Sequence, residues 1–318
     1  MISLRVIVLR RIVETVPVVL GITLYAFVIL QLSPVNPAYA ALGIYASPAQ
    51  RAAFAREFHL NLPIWRRYPD YLYDLLRGNL GINVQGERVT SLLHQAFPVT
   101  LSIAVSAIVV ALLIAYALGI SSGYFAGTWW DNLTRVFAFG GLSVAQFWLG
   151  LLLIEGFAIH QHIFPAGGYV SPTSSITGWV RCLILPAATL AIPIGCYLSR
   201  IVRNAVIEEL NQPYVRMARG CGLSERRVIA SHVLRNASVA PVTVAGIQIG
   251  YVLSGAVVVE VIFNMHGVGF LLWTSAQQGD SAVTIGVALL SALVFVGVNL
   301  LADLLGYVLS PRTRTSNA

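Results

Sequence analysis

The sequence predicts an all-α, polytopic membrane protein with six transmembrane helices and a structured loop after the first. Three observations carry that prediction. Hydrophobic residues make up 57% of the 318 positions and charged residues only 10%, against about a quarter charged in soluble domains. Mean hydropathy is +0.77. Apolar runs of about 20 residues recur along the chain, each long enough for a hydrocarbon core of about 30 Å.

The first run, Ile12 to about Leu32, follows Arg5, Arg10 and Arg11. It resembles a signal peptide with an A-x-A site at Ala38–Ala40, but it exceeds the roughly 7–15 residues of a cleavable apolar region. An uncleaved first helix with its N-terminus inside is the better reading, giving a segment 1–32. Residues 33–97 form a polar outer loop domain. Within it, Ser47-Pro48 opens one helix, with Pro at the first helical position. A second amphipathic helix carries Trp65, Tyr68, Tyr71, Leu72 and Leu75 before Gly78.

Five further spans follow within a core of residues 98–309: Pro98–Ile120, Val136–Ile159, Leu183–Val202, Val239–Ile262 and Ala282–Leu309. Pro186 and Pro193 are expected to kink the third of these. Counting from an inside N-terminus places the loops 121–135 and 203–238 and the tail 310–318 on the cytoplasmic side. Ten arginines then lie inside, from Arg135 to Arg314, while Arg181 alone occupies the two short outer loops. That asymmetry meets the positive-inside rule.

All twenty basic residues are arginine. A phosphate-binding loop of the GxxxxGK[ST] type requires a lysine, so ATP hydrolysis, if it drives this protein, belongs to a partner. Cys182 and Cys196 lie about 21 Å apart on one predicted helix, too far for a disulfide, and no metal-ligand spacing occurs. Gly119–Gly123 reads GISSG, a formal match to GxSxG. It falls at the end of a membrane helix, without the strand and helix that a nucleophile elbow needs, and no histidine lies within a span. His160-x-His162 has no further ligand nearby.

The polar island is Tyr214–Asn236, YVRMARGCGLSERRVIASHVLRN, with five arginines around a Gly-Cys-Gly turn. Gly222 suits the positive φ of a helix end, Ser224 an N-cap, and Glu225 the first turn of a second helix. Asp303 in the last span is a candidate partner of Arg203 or Arg200. Glu155 and Glu260 sit near outer span ends, within reach of water. Gln146, Gln248, Tyr251 and Ser254 are candidates for a polar path or for interhelical hydrogen bonds.

In chain order the sequence also carries HLNLPIWRRYPDYL, GNLG (Asn79–Gly81 its end), FPVTLSIA, WWDNLTR, GLSVAQFWLG, FPAGGY, LPAATLAIP, GAVVVEVIF, GVGFLL and LSPR. With the block at Tyr214–Asn236, these marks resemble the inner-membrane permeases of dipeptide/oligopeptide ABC importers, in particular the first, B-type subunit. Departures are Ala145 at a usual Pro, Met217 at a usual Thr, Gly220-Cys221 at Ala-Lys, and Met265-His266 at a Trp-Pro-like pair. The resemblance implies a type I ABC importer permease fold in the bacterial cytoplasmic membrane, with both termini cytoplasmic. It implies as partners a second homologous permease, two ATP-binding cassette subunits and an extracytoplasmic binding protein, with ATP and Mg held by the ATPases, no cofactor on this chain and no nucleic acid. It implies an ATPase-coupling loop at Arg216, Ala218, Arg219, Gly222, Leu223, Ser224, Glu225, Arg226, Arg227 and Val228. The same architecture carrying nickel or glutathione, a stand-alone channel or secondary transporter, and an intramembrane serine protease are the competing readings.

Overall fold

The computed structural model describes residues 47–57 and 64–309, with isolated positions of the first apolar run. Most of the expected first span, and the tail, therefore lie outside the described residues. The elements are α1 (Pro48–Glu57), α2 (Ile64–Leu76), α3 (Val89–Tyr124), α4 (Trp129–Ser143), α5 (Gln146–Leu153, continued by a π-helical stretch Ile154–His160), α6 (Ile176–Leu210), α7 (Pro213–Gly220), α8 (Glu225–Arg227, continued by a π-helical stretch Val228–Val233), α9 (Leu234–Ala237), α10 (Val239–Ile262), α11 (Val268–Gln278) and α12 (Ser281–Leu309). Among the described residues three helices, α3, α6 and α10, are long and apolar enough to cross a membrane, or four spans if the bent pair α4–α5 counts as one.

The chain divides into two compact units, one built on Leu101–Asn264 and the other on Met265–Val296 with the described residues before Leu101. In the second unit, α1 starts as the sequence predicts. Ser47 Oγ accepts from the Gln50 amide at 3.2 Å, and Gln50 Oε1 accepts from the Ser47 amide at 2.9 Å, a reciprocal capping box. Tyr68 of α2 donates to the Leu20 carbonyl at 3.0 Å and meets the Thr23 hydroxyl at 3.0 Å.

The helix that the sequence starts at Pro98 begins nine residues earlier, at Val89. Val89, Leu93 and Ala96 recur at helical spacing and pack with Val268, Val283 and Val287 in one buried cluster, which extends the helix past the proline. The expected loop 263–281 contains α11 for the same reason: its Val268 lies in that cluster, and Thr100 Oγ1 accepts the Val268 amide at 2.8 Å. Asp280 closes this unit. Its Oδ2 accepts from Val84 N at 2.9 Å, and its Oδ1 accepts from Val283 N at 3.1 Å in the first turn of α12.

In the first unit α6 is the central helix. Of its most apolar 18 residues 72% are buried, against 33% in α3 and 28% in α10, and it packs on α4, α5 and α10. Both Pro186 and Pro193 lie inside one helical run from Ile176 to Leu210. The run is longer than the predicted span at both ends. Ser175 Oγ caps its start by accepting the Gly178 amide at 3.1 Å. At the far end Val202 and Val206 are each 1% exposed, so the buried face carries the helix past Arg203 into the predicted loop.

The GISSG match is a packing device. A Cβ on Gly119 would lie 2.6 Å from Val202 Cβ and 2.7 Å from the Ser199 carbonyl, and one on Gly123 would lie 2.9 Å from Val206 Cγ1. Glycines four apart on α3 therefore let its backbone approach α6 closely, the small-xxx-small arrangement of membrane helices. Gly195 does the same in reverse, with a Cβ position 2.9 Å from the Ala111 carbonyl.

The predicted straight span Val136–Ile159 is instead two helices at 103°. Val144 (φ −82°, ψ 125°) and Ala145 (φ −65°, ψ 133°) are extended and break the hydrogen-bond ladder. Ala145 stands where the resemblance has Pro, and it adopts the φ that a proline ring would fix. Val144 likewise has the extended backbone that precedes a proline. The bend survives without the ring.

One ion pair clasps the neighbouring ends of α3, α4 and α6. Arg203 donates through Nε to Asp131 Oδ1 and through Nη2 to Asp131 Oδ2, both at 2.7 Å. Ser122 Oγ donates to Oδ1 at 2.6 Å, and the Gly127 amide donates to Oδ2 at 3.0 Å. Asp131 is 1% exposed, and all four donors compensate its burial.

Two predictions follow from these packings. Gly119→Ala should destabilise by more than about 1 kcal/mol through overpacking. Gly140→Ala in α4, where a Cβ meets nothing within 4 Å, should be neutral or gain up to about 1 kcal/mol from helix propensity. Unfolding midpoints in detergent compare the two directly. Asp131→Asn should cost about 3 kcal/mol, the scale for leaving a buried partner charge uncompensated, and an unaltered unfolding midpoint would show that the clasp contributes nothing.

Candidate coupling surface

The polar block starts as the sequence suggests. Gln212 precedes α7 and Pro213 occupies the first helical turn, where its missing N–H costs nothing. Val215 and Ala218 face inward, at 0% and 9% exposure, and Arg216, Met217 and Arg219 project outward. The helix then ends in a Schellman turn. Gly222 has φ +80°; its amide donates to the Arg219 carbonyl at 3.0 Å, and the Leu223 amide donates to the Ala218 carbonyl at 3.3 Å. This is the hydrogen-bond pair that defines the motif, and it requires a left-handed residue at position 222.

Ser224 occupies the N-cap of the second helix, with φ −64° and ψ 145°, but its side chain makes no capping bond. Its carbonyl accepts the Arg227 and Val228 amides at 2.9 and 3.0 Å. Glu225 sits in the first turn as predicted. It also binds across the corner: Arg219 Nε donates to Oε1 at 2.8 Å and Nη2 to Oε2 at 3.3 Å. Both side chains are more than a third exposed, so this pair sets the shape of the corner more than it stabilises the fold.

Beyond Arg227 the second helix is longer than the short one the block predicts. It passes through the π-helical stretch 228–233 and α9 to reach α10. Val228 and Val233 are fully buried beneath it. Tyr214 ties the start of the block to its end, donating to Glu209 and accepting from Asn236 Nδ2 at 2.9 Å. Of the ten predicted coupling residues, Ala218 and Val228 are buried anchors and Leu223 is half-buried. Arg216, Arg219, Gly222, Ser224, Glu225, Arg226 and Arg227 are exposed. The corner thus presents four guanidinium groups and one carboxylate on a rigid frame, a surface suited to protein contact rather than to bond-making chemistry.

The other predicted site residues lie elsewhere. Arg203 is engaged with Asp131, and Arg200 stacks on Phe139, its Cζ 4.7 Å from the ring centroid. The side chain of Asp303 lies outside the described residues. Asp131 was not among the sequence candidates, although it is the one acidic residue between Ser121 and Arg135; that isolation was the available signal. Glu260 does not reach water as the sequence suggested. It is 0% exposed, because it falls on the face of α10 that buries Val252, Ala256 and Val259. Glu155 is exposed and meets His160 Nδ1 at 3.3 Å. Tyr251 and Ser254 lie on an exposed stripe of α10 with Ile247 and Val258, and Gln248 is half-buried beside it. Gln146 of α5 reaches toward α10 at Gly255, where its Oε1 lies 2.7 Å from the position a Cβ would take. Among the described residues no group of His, Cys, Asp and Glu is placed to hold a metal ion.

The family described as "Binding-protein-dependent transport system inner membrane component" matches residues 115–315. A putative peptide transport system permease protein of Brucella abortus is 33% identical over 96% of this chain and 98% of its own length. The probable D,D-dipeptide transport system permease protein of Escherichia coli is 34% identical over 93% of each chain, and the dipeptide transport system permease protein of the same organism is 33% identical over 96% of this chain and 98% of its own. The chain belongs to the family of inner-membrane components of binding-protein-dependent transport systems.

Proposed function

We propose that this chain is the transmembrane permease subunit of an ATP-driven importer of dipeptides or oligopeptides. The observation that supports it most is end-to-end similarity to peptide and dipeptide permeases. In this reading the chain crosses the inner membrane six times with both termini in the cytoplasm, and residues 33–97 lie outside. It pairs with a second homologous permease. A binding protein delivers substrate from outside, and two ATP-binding cassette subunits, which hold ATP and Mg, drive alternating access.

The corner at Gly222–Val228 is the lever. It joins α6 to α10 through two buried anchors, Val215 and Val228, so a push on the exposed arginines is carried into both long helices rather than absorbed by a floppy loop. The exposed stripe at Tyr251 and Ser254 is then a surface for the path or for the second permease. Peptide is favoured over nickel or glutathione because the relatives are named as peptide and dipeptide permeases.

Leu223→Asp puts a charge into the half-buried seat of the corner. It should reduce substrate-stimulated ATP hydrolysis of the assembled transporter by at least about tenfold, equivalent to about 1.4 kcal/mol of lost coupling, while the permease pair still assembles. Undiminished stimulated hydrolysis in an assembled Leu223→Asp transporter would overturn the placement of the lever.

A further inference from the structure

The ends of α4 and α6 enclose a pocket of about 290 Å3 lined by Arg135, Phe139, Arg200, Arg203 and Asn204. Three guanidinium groups line it, and the acid beside it is already committed. Asp131 takes the Nε and Nη2 donors of Arg203, so among the described side chains here three positive charges face one negative. Among the described residues no carboxylate lies within ion-pair distance of Arg135 or Arg200.

The donors facing the pocket are weakly used. Arg200 lies over Phe139, a stack that occupies the face of the guanidinium and leaves its edge N–H groups free to donate. Arg135 Nη1 reaches Asn132 Oδ1 at 3.5 Å, and Arg203 Nη1 reaches Asn204 Oδ1 at 3.3 Å, both long contacts that an anionic oxygen would displace. On the face of α4 next to Arg135, Trp129 is exposed at 73% and Val136 at 68%. Aromatic side chains of this kind collect where a bilayer meets water. A ligand with an anionic head and apolar chains matches both features, whereas a free anion uses only the first.

We propose that this pocket binds the phosphate of an anionic phospholipid headgroup, with Arg135 and Arg200 as its principal donors and the acyl chains along the Trp129–Val136 face of α4. The lipid compensates two cations at the level of the membrane surface, where anionic headgroups attract arginines. It sits beside the Asp131–Arg203 clasp without replacing it.

The test uses the transporter assembled with its partner subunits and held in phosphatidylcholine nanodiscs. Binding of phosphatidylglycerol is followed by native mass spectrometry, with phosphatidylcholine and inorganic phosphate as the comparison ligands. The wild type should retain phosphatidylglycerol, and the Arg135→Gln/Arg200→Gln variant should bind it about tenfold more weakly, the scale of one lost charge-assisted contact. Arg203 is left in place because it holds Asp131. If the double variant fails to assemble, Arg135→Gln alone is read the same way, since its side chain is exposed and removes no buried contact. Equal phosphatidylglycerol binding by wild type and variant would overturn the proposal, as would inorganic phosphate at millimolar concentration displacing the lipid from the site.

Discussion

The clasp between Asp131 and Arg203 is the contact on which the first unit depends. It joins the end of α3, through Ser122, to the start of α4, through Asp131, and to α6, through Arg203. Without it, a nearly dry carboxylate and a largely buried guanidinium would each need another partner in surroundings that offer few. With it, Val202 and Val206 lie against the glycines of α3, and α6 runs on for two further turns toward the polar block. The corner at Gly222 is displayed by a helix that this ion pair holds in place. A docking surface that must transmit force requires such a fixed base, because a mobile one would dissipate the push.

Two different kinds of signal made the chain readable. Composition and recurring apolar runs identified a membrane protein and placed most of the long helices found among the described residues, and local turn chemistry placed the corner. Gly222 was legible because a helix ending in a left-handed residue has few alternatives to glycine. The start of α1 was legible from Ser47-Pro48, because proline suits the first helical position; the reciprocal bonds to Gln50 came from the structure. The bend in α4–α5 was not legible: its usual marker, a proline, is replaced by Ala145, and an extended alanine leaves no trace in composition. Nor was the start of α3, where Val89, Leu93 and Ala96 make a helical face only because Val268 and Val283 come from far along the chain to cover it.

The same distinction separates the candidate sites. The coupling block is contiguous, so one stretch of sequence contained nearly all of it, and the structure added the Arg219–Glu225 bridge and the buried anchors at Val215 and Val228. The ion pair is 72 residues apart in sequence, and apolar patterning says nothing about which acid meets which arginine. Asp303 drew the reading because it stands inside a span, whereas Asp131 stands in a short loop where charges usually meet water. The GISSG string shows the opposite error that a motif invites. Its glycines serve helix contact, and its serine, Ser121, donates to the Ala117 and Leu118 carbonyls of its own helix, so both features of the match have a structural role.

The central claim is that the corner at Gly222 engages the ATPase. Cys221 tests it directly, because it is exposed at that corner while Cys182 and Cys196 are buried. In the assembled transporter, a short thiol-reactive photocross-linker placed on Cys221 should yield one adduct between this chain and an ATP-binding cassette subunit, with a yield that changes when ATP binds. A cross-linker on Cys221 that reaches only lipid or water, and labels equally fast with and without the ATPase subunits, would contradict the account.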